Sequence, residues 1–326
     1  MPEKPLLTNQ RESGISRIVG FDEKIEAELL DYFRKQFERD QRDGLEKEHS
    51  PELKEIITKV NEKMVDFLER YGVDAVYIPS KNVHILDKSK LDPEKLNKFD
   101  EEYKKSRGFY APLKQGVAIM DDYREGQKLP FTHTMVHEML HLNGFYSYQT
   151  TSKENAEITL TNNRDQSEAS LNIRRSGFAI GTMDGNELLF NDVNEAIITE
   201  LAIRFEREYF YEWPELRKEL KARDKCIKEI AEKKGVDVQR VRDTVGSLRE
   251  DKWQTYSYYD VRVKFNMLID DLYEKNEGRF PSREAVFSLF AKAAMMGKIL
   301  PVARLIEGTY GKGKFRELGE KTVSRN

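Results

Sequence analysis

Cysteine is almost absent from this sequence: Cys226 stands alone among 326 residues, which excludes an internal disulfide and any thiolate-rich metal site. A metal must therefore be held by histidine and carboxylate, and histidine is scarce too, at five residues. An excess of positive charge is also missing. The 55 basic residues are outnumbered by 58 acidic ones, for a net charge of -3, so no general field exists to hold a phosphate backbone and nucleic acid is not an expected partner. No run approaches the roughly eighteen apolar residues that a membrane helix needs. Met1 to Gly20 lacks the apolar core of a signal peptide. Together these absences read as a cytoplasmic protein with no membrane partner.

What is present is 38% hydrophobic and 35% charged residues, enough apolar material for a substantial core beneath a strongly hydrated surface. Residues 1–20 carry no periodic apolar face and read as a flexible leader. Residues 21–72 read as N-terminal helices, from Ile25, Leu29, Leu30, Phe33 and Phe37 and again from Leu53, Ile56, Ile57, Val60, Met64, Phe67 and Leu68, with Ser50-Pro51 as cap and first turn. Residues 73–212 open with short β-rich runs at Val73 to Ile78, Asn82 to Leu86 and Gly116 to Met120, with a charged helical piece around Pro93 to Lys105. A helix starting near Leu129 follows them. Thr151 to Gln166 reads as a polar loop, and Ala169 to Thr182 and Glu187 to Phe190 as a strand pair about the turn Met183-Asp184-Gly185-Asn186. Residues 213–326 are almost wholly helical in pattern, broken at Trp213-Pro214, Lys234-Gly235 and Gly278 to Pro281. The expected class is α+β: a small mixed sheet, a helix packed on it, and a mainly helical C-terminal lobe.

The chemistry concentrates in His137-Glu138-Met139-Leu140-His141. Two histidines four apart on a helix lie about 40° apart around the axis and about 6 Å along it, so both imidazoles reach one tetrahedral ion. Glu138 projects beside such an ion, where a carboxylate takes a proton from water. The expected cofactor is Zn²⁺, which brings the pKa of its water towards neutrality. His133 extends the same face one turn earlier and reads as a packing residue or a partner of a ligand, because three successive turns rarely converge on one ion.

A catalytic zinc takes a third protein ligand and keeps one position open. Downstream stands Asn191-Asp192-Val193-Asn194-Glu195-Ala196-Ile197-Ile198-Thr199-Glu200. Its Asn-Glu-Ala start resembles the second zinc-binding helix of the gluzincin metallopeptidases. The resemblance spans about Val73 to Phe210 and is sharp only at the two motifs. It implies a zincin-like core, metal ligands His137, His141 and Glu195, Glu138 as general base and then acid, and a peptide or protein substrate. The family usually has an acid one turn after the ligand glutamate, to orient a ligand histidine. Here Thr199 stands in that place and Glu200 one further on. Thr199, Glu200 and Asp192 are therefore all candidates for that role.

Gly116 to Met120 occupies, in chain order, the place of the zincin strand that lies along the substrate, which favours an extended peptide. For stabilising a developing oxyanion the sequence offers Tyr258, Arg174 and Arg175, each of which also reads as an ordinary packing or surface residue. Gly308 to Lys314 fits part of a phosphate-binding loop, but Phe315 replaces its hydroxyl residue, which argues against a nucleotide. Two other functions remain open: hydrolysis of another amide or ester, and a noncatalytic zinc-stabilised scaffold that binds a peptide or protein.

Overall fold

The computed structural model describes residues 17–19, 31, 34–35, 46–85, 87, 108–111, 115–120, 123–150, 171–182, 187–249 and 252–321. It is a mixed α+β protein with small sheets and a helical C-terminal region. Among the described residues no helix is long and apolar enough to cross a membrane.

The first long helix, α1 (Pro51–Glu69), follows the expected periodicity. Ser50 caps it by accepting from Leu53 N at 3.1 Å, and Pro51 sits in its first turn, where its missing N–H costs nothing. Its apolar stripe, from Leu53 to Leu68, is buried. The expected helix around Ile25 to Phe37 and the charged piece at 93–105 lie largely or wholly outside the described residues. So do the 151–166 loop and the 183–186 turn.

The β-structure differs from expectation in several places, among them unpredicted strands at Gly108–Ala111 and Tyr146–Thr150. Val73 to Ile78 forms no strand. It is buried, but its backbone is satisfied by side-chain amides: Val76 N donates to Asn143 Oδ1 at 2.6 Å, Ile78 N donates to Asn61 Oδ1 at 2.7 Å, and Asn61 Nδ2 returns a bond to Ile78 O at 2.8 Å. A β-like composition there reflects burial alone. Arg17–Val19, inside the expected leader, forms β1. The 169–182 run is two strands, because Gly177, in the left-handed region at φ 60°, turns the chain in its middle. The C-terminal region, expected to be helical throughout, contains a β-hairpin.

The strands sort into three sheets. One has three strands: β2 (Val83–Ile85) runs parallel to β4 (Gly116–Ile119), and β3 (Gly108–Ala111) runs antiparallel to β4 on its other side. The Gly116 strand, expected at the substrate edge, is thus central, and β3 flanks it. The second sheet has five strands in the order β1, β5 (Tyr146–Thr150), β6 (Leu171–Ser176), β7 (Ala179–Gly181) and β8 (Leu188–Leu189), with β1 parallel to β5 and the rest antiparallel. The third is the hairpin of β9 (Val245–Arg249) and β10 (Lys252–Thr255).

Two helices cross at the centre. One is α2 (Lys128–Leu142), where all but Lys128 and His133 are buried, as for a helix enclosed on every side. The other is α3 (Asn191–Tyr209). Around them stand α4 (Arg217–Lys234), the short α5 (Val238–Arg242), α6 (Tyr259–Lys275), α7 (Arg283–Met296), α8 (Leu300–Tyr310) and α9 (Lys314–Lys321). A single apolar cluster runs from Leu53 on α1 to Ile306 on α8 and includes Met135, Met139, Ile197, Leu201 and Phe290. Both central helices are therefore held in rigid packing on several sides.

Candidate metal centre

Neighbouring elements fix both ends of α2. Gln127 offers no side-chain cap, and the Glu219 carboxylate from α4 takes that role, accepting from Lys128 N at 3.1 Å and Leu129 N at 2.9 Å. An anion there also suits the positive end of the helix. At the other end Asn143 Nδ2 donates to Met139 O at 2.9 Å while its Oδ1 holds Val76. His137 and His141 are consequently set on a helix with little freedom to roll.

The start of α3 is fixed by packing. Phe190, just before it, adopts a left-handed conformation at φ 63°, and its ring packs on Phe315 of α9 at 4.6 Å between centroids. Asn194 Oδ1 accepts from Phe178 N at 2.8 Å, and a Cβ on Gly177 would collide with that oxygen. The asparagine of the Asn-Glu-Ala motif thus ties the helix to the β6–β7 turn. The next residue, Glu195, faces the histidines of α2.

His137, His141 and Glu195 converge. His137 Nε2 and His141 Nε2 are 3.1 Å apart, and Glu195 Oε2 lies 3.4 Å from the first and 3.3 Å from the second. A tetrahedron of ligand atoms about 2.0 to 2.1 Å from its centre has edges of about 3.3 to 3.4 Å. The three donors therefore form one face of a tetrahedron of zinc size. Among the described residues these are the histidine, cysteine and acidic groups that could share an ion. The donor set, two imidazoles and one carboxylate, is that of catalytic zinc with its fourth position open.

The electrostatics agree with that geometry. Glu195 is buried, which on its own would raise its carboxyl, yet the two histidines outweigh burial and hold it well below the usual carboxylate range. No lysine or arginine stands within ion-pair distance of it among the described residues. Glu138 behaves oppositely. Burial, reinforced by the charge of Glu195 and opposed by His137 and the Tyr110 N–H, pushes it up to about 7. A carboxyl so poised can both take and return a proton near neutrality.

Two tyrosines wall the site. Tyr110, on β3, stacks on His141 with 4.5 Å between centroids and 18° between planes, and its hydroxyl shares a 2.8 Å hydrogen bond with Ser176 Oγ. Its strand approaches α2 so closely that a Cβ on Gly108 would come within 2.8 Å of Thr134 Cγ2 and 3.0 Å of Glu138 Cγ. The sequence reading missed Tyr110, which lies on a four-residue strand without an alternating signal. Tyr258 stacks on His137 at 6.0 Å and 9°. It is 47% exposed and strained at φ 56°. Strain in a non-glycine residue beside a polar site is a common functional signature. The charge of Glu195, then burial and the charge of Glu138 raise its phenol, so Tyr258 is a neutral donor at the site.

The remaining candidates are placed elsewhere. Glu200 Oε1 accepts from Arg204 Nε at 3.1 Å, while its Oε2 accepts from Arg262 Nη1 at 3.1 Å and Asn266 Nδ2 at 3.3 Å. Its carboxylate is engaged by α6 and by its own helix. Thr199 is buried with its hydroxyl unpartnered, and Asp192, in the first turn of α3, adds to the negative field at Tyr258. Arg174 binds Gln149, across the β5–β6 pair. Arg175 Nη2 donates to Gly177 O at 2.7 Å and Ala293 O at 3.2 Å, pinning the β6–β7 turn to α7. His133, one turn before His137, lies 2.8 Å from Glu206 Oε2 and takes no part in the triad. No family model, curated protein or solved structure matches this chain.

Proposed function

We propose that this chain is a zinc-dependent hydrolase of the gluzincin type that cleaves peptide bonds. The observation that carries the reading is the triangle of His137, His141 and Glu195, with the buried Glu138 beside it on α2. These three residues would hold the ion. When bound, zinc supplies Lewis acidity and brings the pKa of water towards neutrality.

The chain's own residues account for the rest of the reaction. Glu138 takes a proton from the attacking water and passes it to the leaving nitrogen, a double task for which its buried position beside the ligands suits it. Tyr258, neutral and stacked against His137, is the donor best placed to meet the developing oxyanion. Tyr110 holds the His141 ring from the other side and directs its backbone N–H at Glu138. A peptide is favoured over other amides and esters because a strand, β3, runs over Glu138, where an extended substrate would lie beside it.

The experiment pairs metal analysis with hydrolysis. Wild type and Glu138→Gln are assayed for bound zinc by mass spectrometry and for cleavage of a mixed peptide library. The expected result is one zinc per chain in both, with cleavage reduced in the variant by at least about a hundredfold, the usual size of an acid–base contribution. Wild type without zinc overturns the proposal. Wild type with zinc but no hydrolysis of peptides, amides or esters leaves the metal-stabilised scaffold as the reading.

A further inference from the structure

Behind the histidine helix, on the side of His133, lies a second polar site that the proposed hydrolysis does not use. A partly open cleft of about 160 Å³ is lined by Arg207 of α3, Arg223 of α4 and Arg242 of α5, together with Tyr211, Gln239, Tyr256 and Glu206. It is far roomier than a single water requires. Arg223 is only 2% exposed. One of its terminal nitrogens, Nη1, serves Glu206, Tyr256 and Gly246 O. Arg242 reaches Asp224 at a loose 3.5 Å, and Arg207 pairs with Asp243. Neither aspartate lines the cleft, although both sit just behind it and offset part of its charge, so its wall presents three guanidinium groups and the carboxylate of Glu206. Arg223 Nε and Arg242 Nε are both buried with no acceptor. Buried guanidinium N–H groups rarely go without one.

We propose that this cleft is a binding site for a small phosphate-type oxyanion, free or as a phosphomonoester. Guanidinium groups arriving from three different helices converge on one volume, which suits a tetrahedral anion that can accept in several directions. A flat carboxylate takes its donors side by side. At the rim the Tyr211 hydroxyl is committed to Asp224 and one Gln239 N–H to Asp243, so the guanidinium groups are the donors on which the site rests. The inference is independent of the metal centre, because none of the cleft residues belongs to the triad.

The test titrates the full chain with inorganic phosphate, phenyl phosphate and acetate by calorimetry, once loaded with zinc and once after chelation. Saturable phosphate binding is expected in both forms, at least tenfold tighter than acetate. It should weaken at least tenfold in Arg207→Gln and in Arg242→Gln, and be unchanged in Arg316→Gln on α9. Phenyl phosphate distinguishes a phosphomonoester, which would bind as well as phosphate, from the free anion, which would bind alone. As a check that needs no variant, phosphate should protect Arg207 and Arg242 of the wild type from phenylglyoxal. Absence of saturable binding, loss of binding on chelation, equal binding of acetate, or unprotected arginines would each overturn the proposal.

Discussion

Two histidine–glutamate pairings join the same pair of helices, and they are finished differently. At one end of the α2–α3 crossing His137 and His141 meet Glu195; at the other, His133 meets Glu206. The two glutamates stand about three turns apart on α3. Glu206 is closed in by protein groups: Arg223 Nη1 lies 2.5 Å from its Oε1, the Tyr256 hydroxyl donates to the same oxygen at 3.0 Å, and His133 Nδ1 stands 2.8 Å from Oε2 without hydrogen-bond geometry. Glu195 is also buried, at 8% exposure against 1% for Glu206, but among the described residues only imidazoles stand within ion-pair distance of it, and the two Nε2 atoms and Oε2 face one another across 3.1 to 3.4 Å. A buried carboxylate needs a positive partner. At Glu206 that partner is a fixed guanidinium, whereas at Glu195 it is a pair of imidazoles whose ring nitrogens and the carboxylate have the spacing to hold an ion. The contrast separates a structural cluster from one that could hold a metal by what surrounds each carboxylate.

The sharpest way to break the comparison is to exchange the consequences of removing a partner. Glu195→Ala should reduce zinc affinity by more than the ten- to hundredfold that loss of a group behind a ligand costs, as read by metal content after dialysis against a graded chelator. Arg223→Met should leave zinc content unchanged and destabilise the fold by about 3 to 5 kcal/mol in urea unfolding, because it strands the buried Glu206 carboxylate. The double variant Arg223→Met with Glu206→Gln, which removes both charges, should recover most of that loss. Zinc loss in Arg223→Met would mean that the two clusters act as one.

Acid should separate the clusters as well. Burial would raise the Glu206 carboxyl, but Arg223 and His133 bring it down to about 2, against an unperturbed 4.5. A carboxyl depressed in the folded state contributes its full stabilisation above pH 4.5 and loses it as pH falls through 2. By linkage this is about 3 kcal/mol at most. Urea unfolding of chelated protein between pH 5 and pH 2.5 should therefore fall more steeply for wild type than for the double variant. Parallel curves would show that Glu206 is not ion-paired in solution.

The parts of this arrangement that were legible in the sequence are those set by local geometry. His137 and His141 need only helical spacing to converge, and α1 and its Ser50 cap follow from a periodic stripe. Glu195 needed a motif, because no local rule relates it to α2. Tyr110 was not legible, since its place beside His141 depends on a strand pairing that brings β3 over the helix. Tyr258 was visible as a candidate, but its stacking on His137 depends on the preceding β9–β10 hairpin, in a stretch that reads as helical. The strand expected at Val73 to Ile78 failed for a related reason. Apolar β-branched residues report burial, and there Asn61 and Asn143 satisfy the backbone in place of a neighbouring strand. Glu206 and Arg223 lie among many charged residues on their helices, and nothing local marks them as the buried pair.

Thr199 tests the boundary between the two clusters with the smallest effect. It lies on α3 between Glu195 and Glu206, buried to 1% exposure, with its hydroxyl unpartnered. If the hydroxyl orients a ligand histidine, as its position one turn after Glu195 suggested, Thr199→Val should lower zinc affinity ten- to hundredfold. The observed environment argues for the opposite. Valine has nearly the shape of threonine and removes a buried polar atom that makes no bond, so stability should stay level or rise by about 1 kcal/mol while zinc affinity holds. Titration against a chelator and urea unfolding of the same preparation decide between the two. A drop in zinc affinity would place Thr199 with the metal centre, whereas unchanged affinity would leave the crossing as two sites separated by a turn of helix that serves neither.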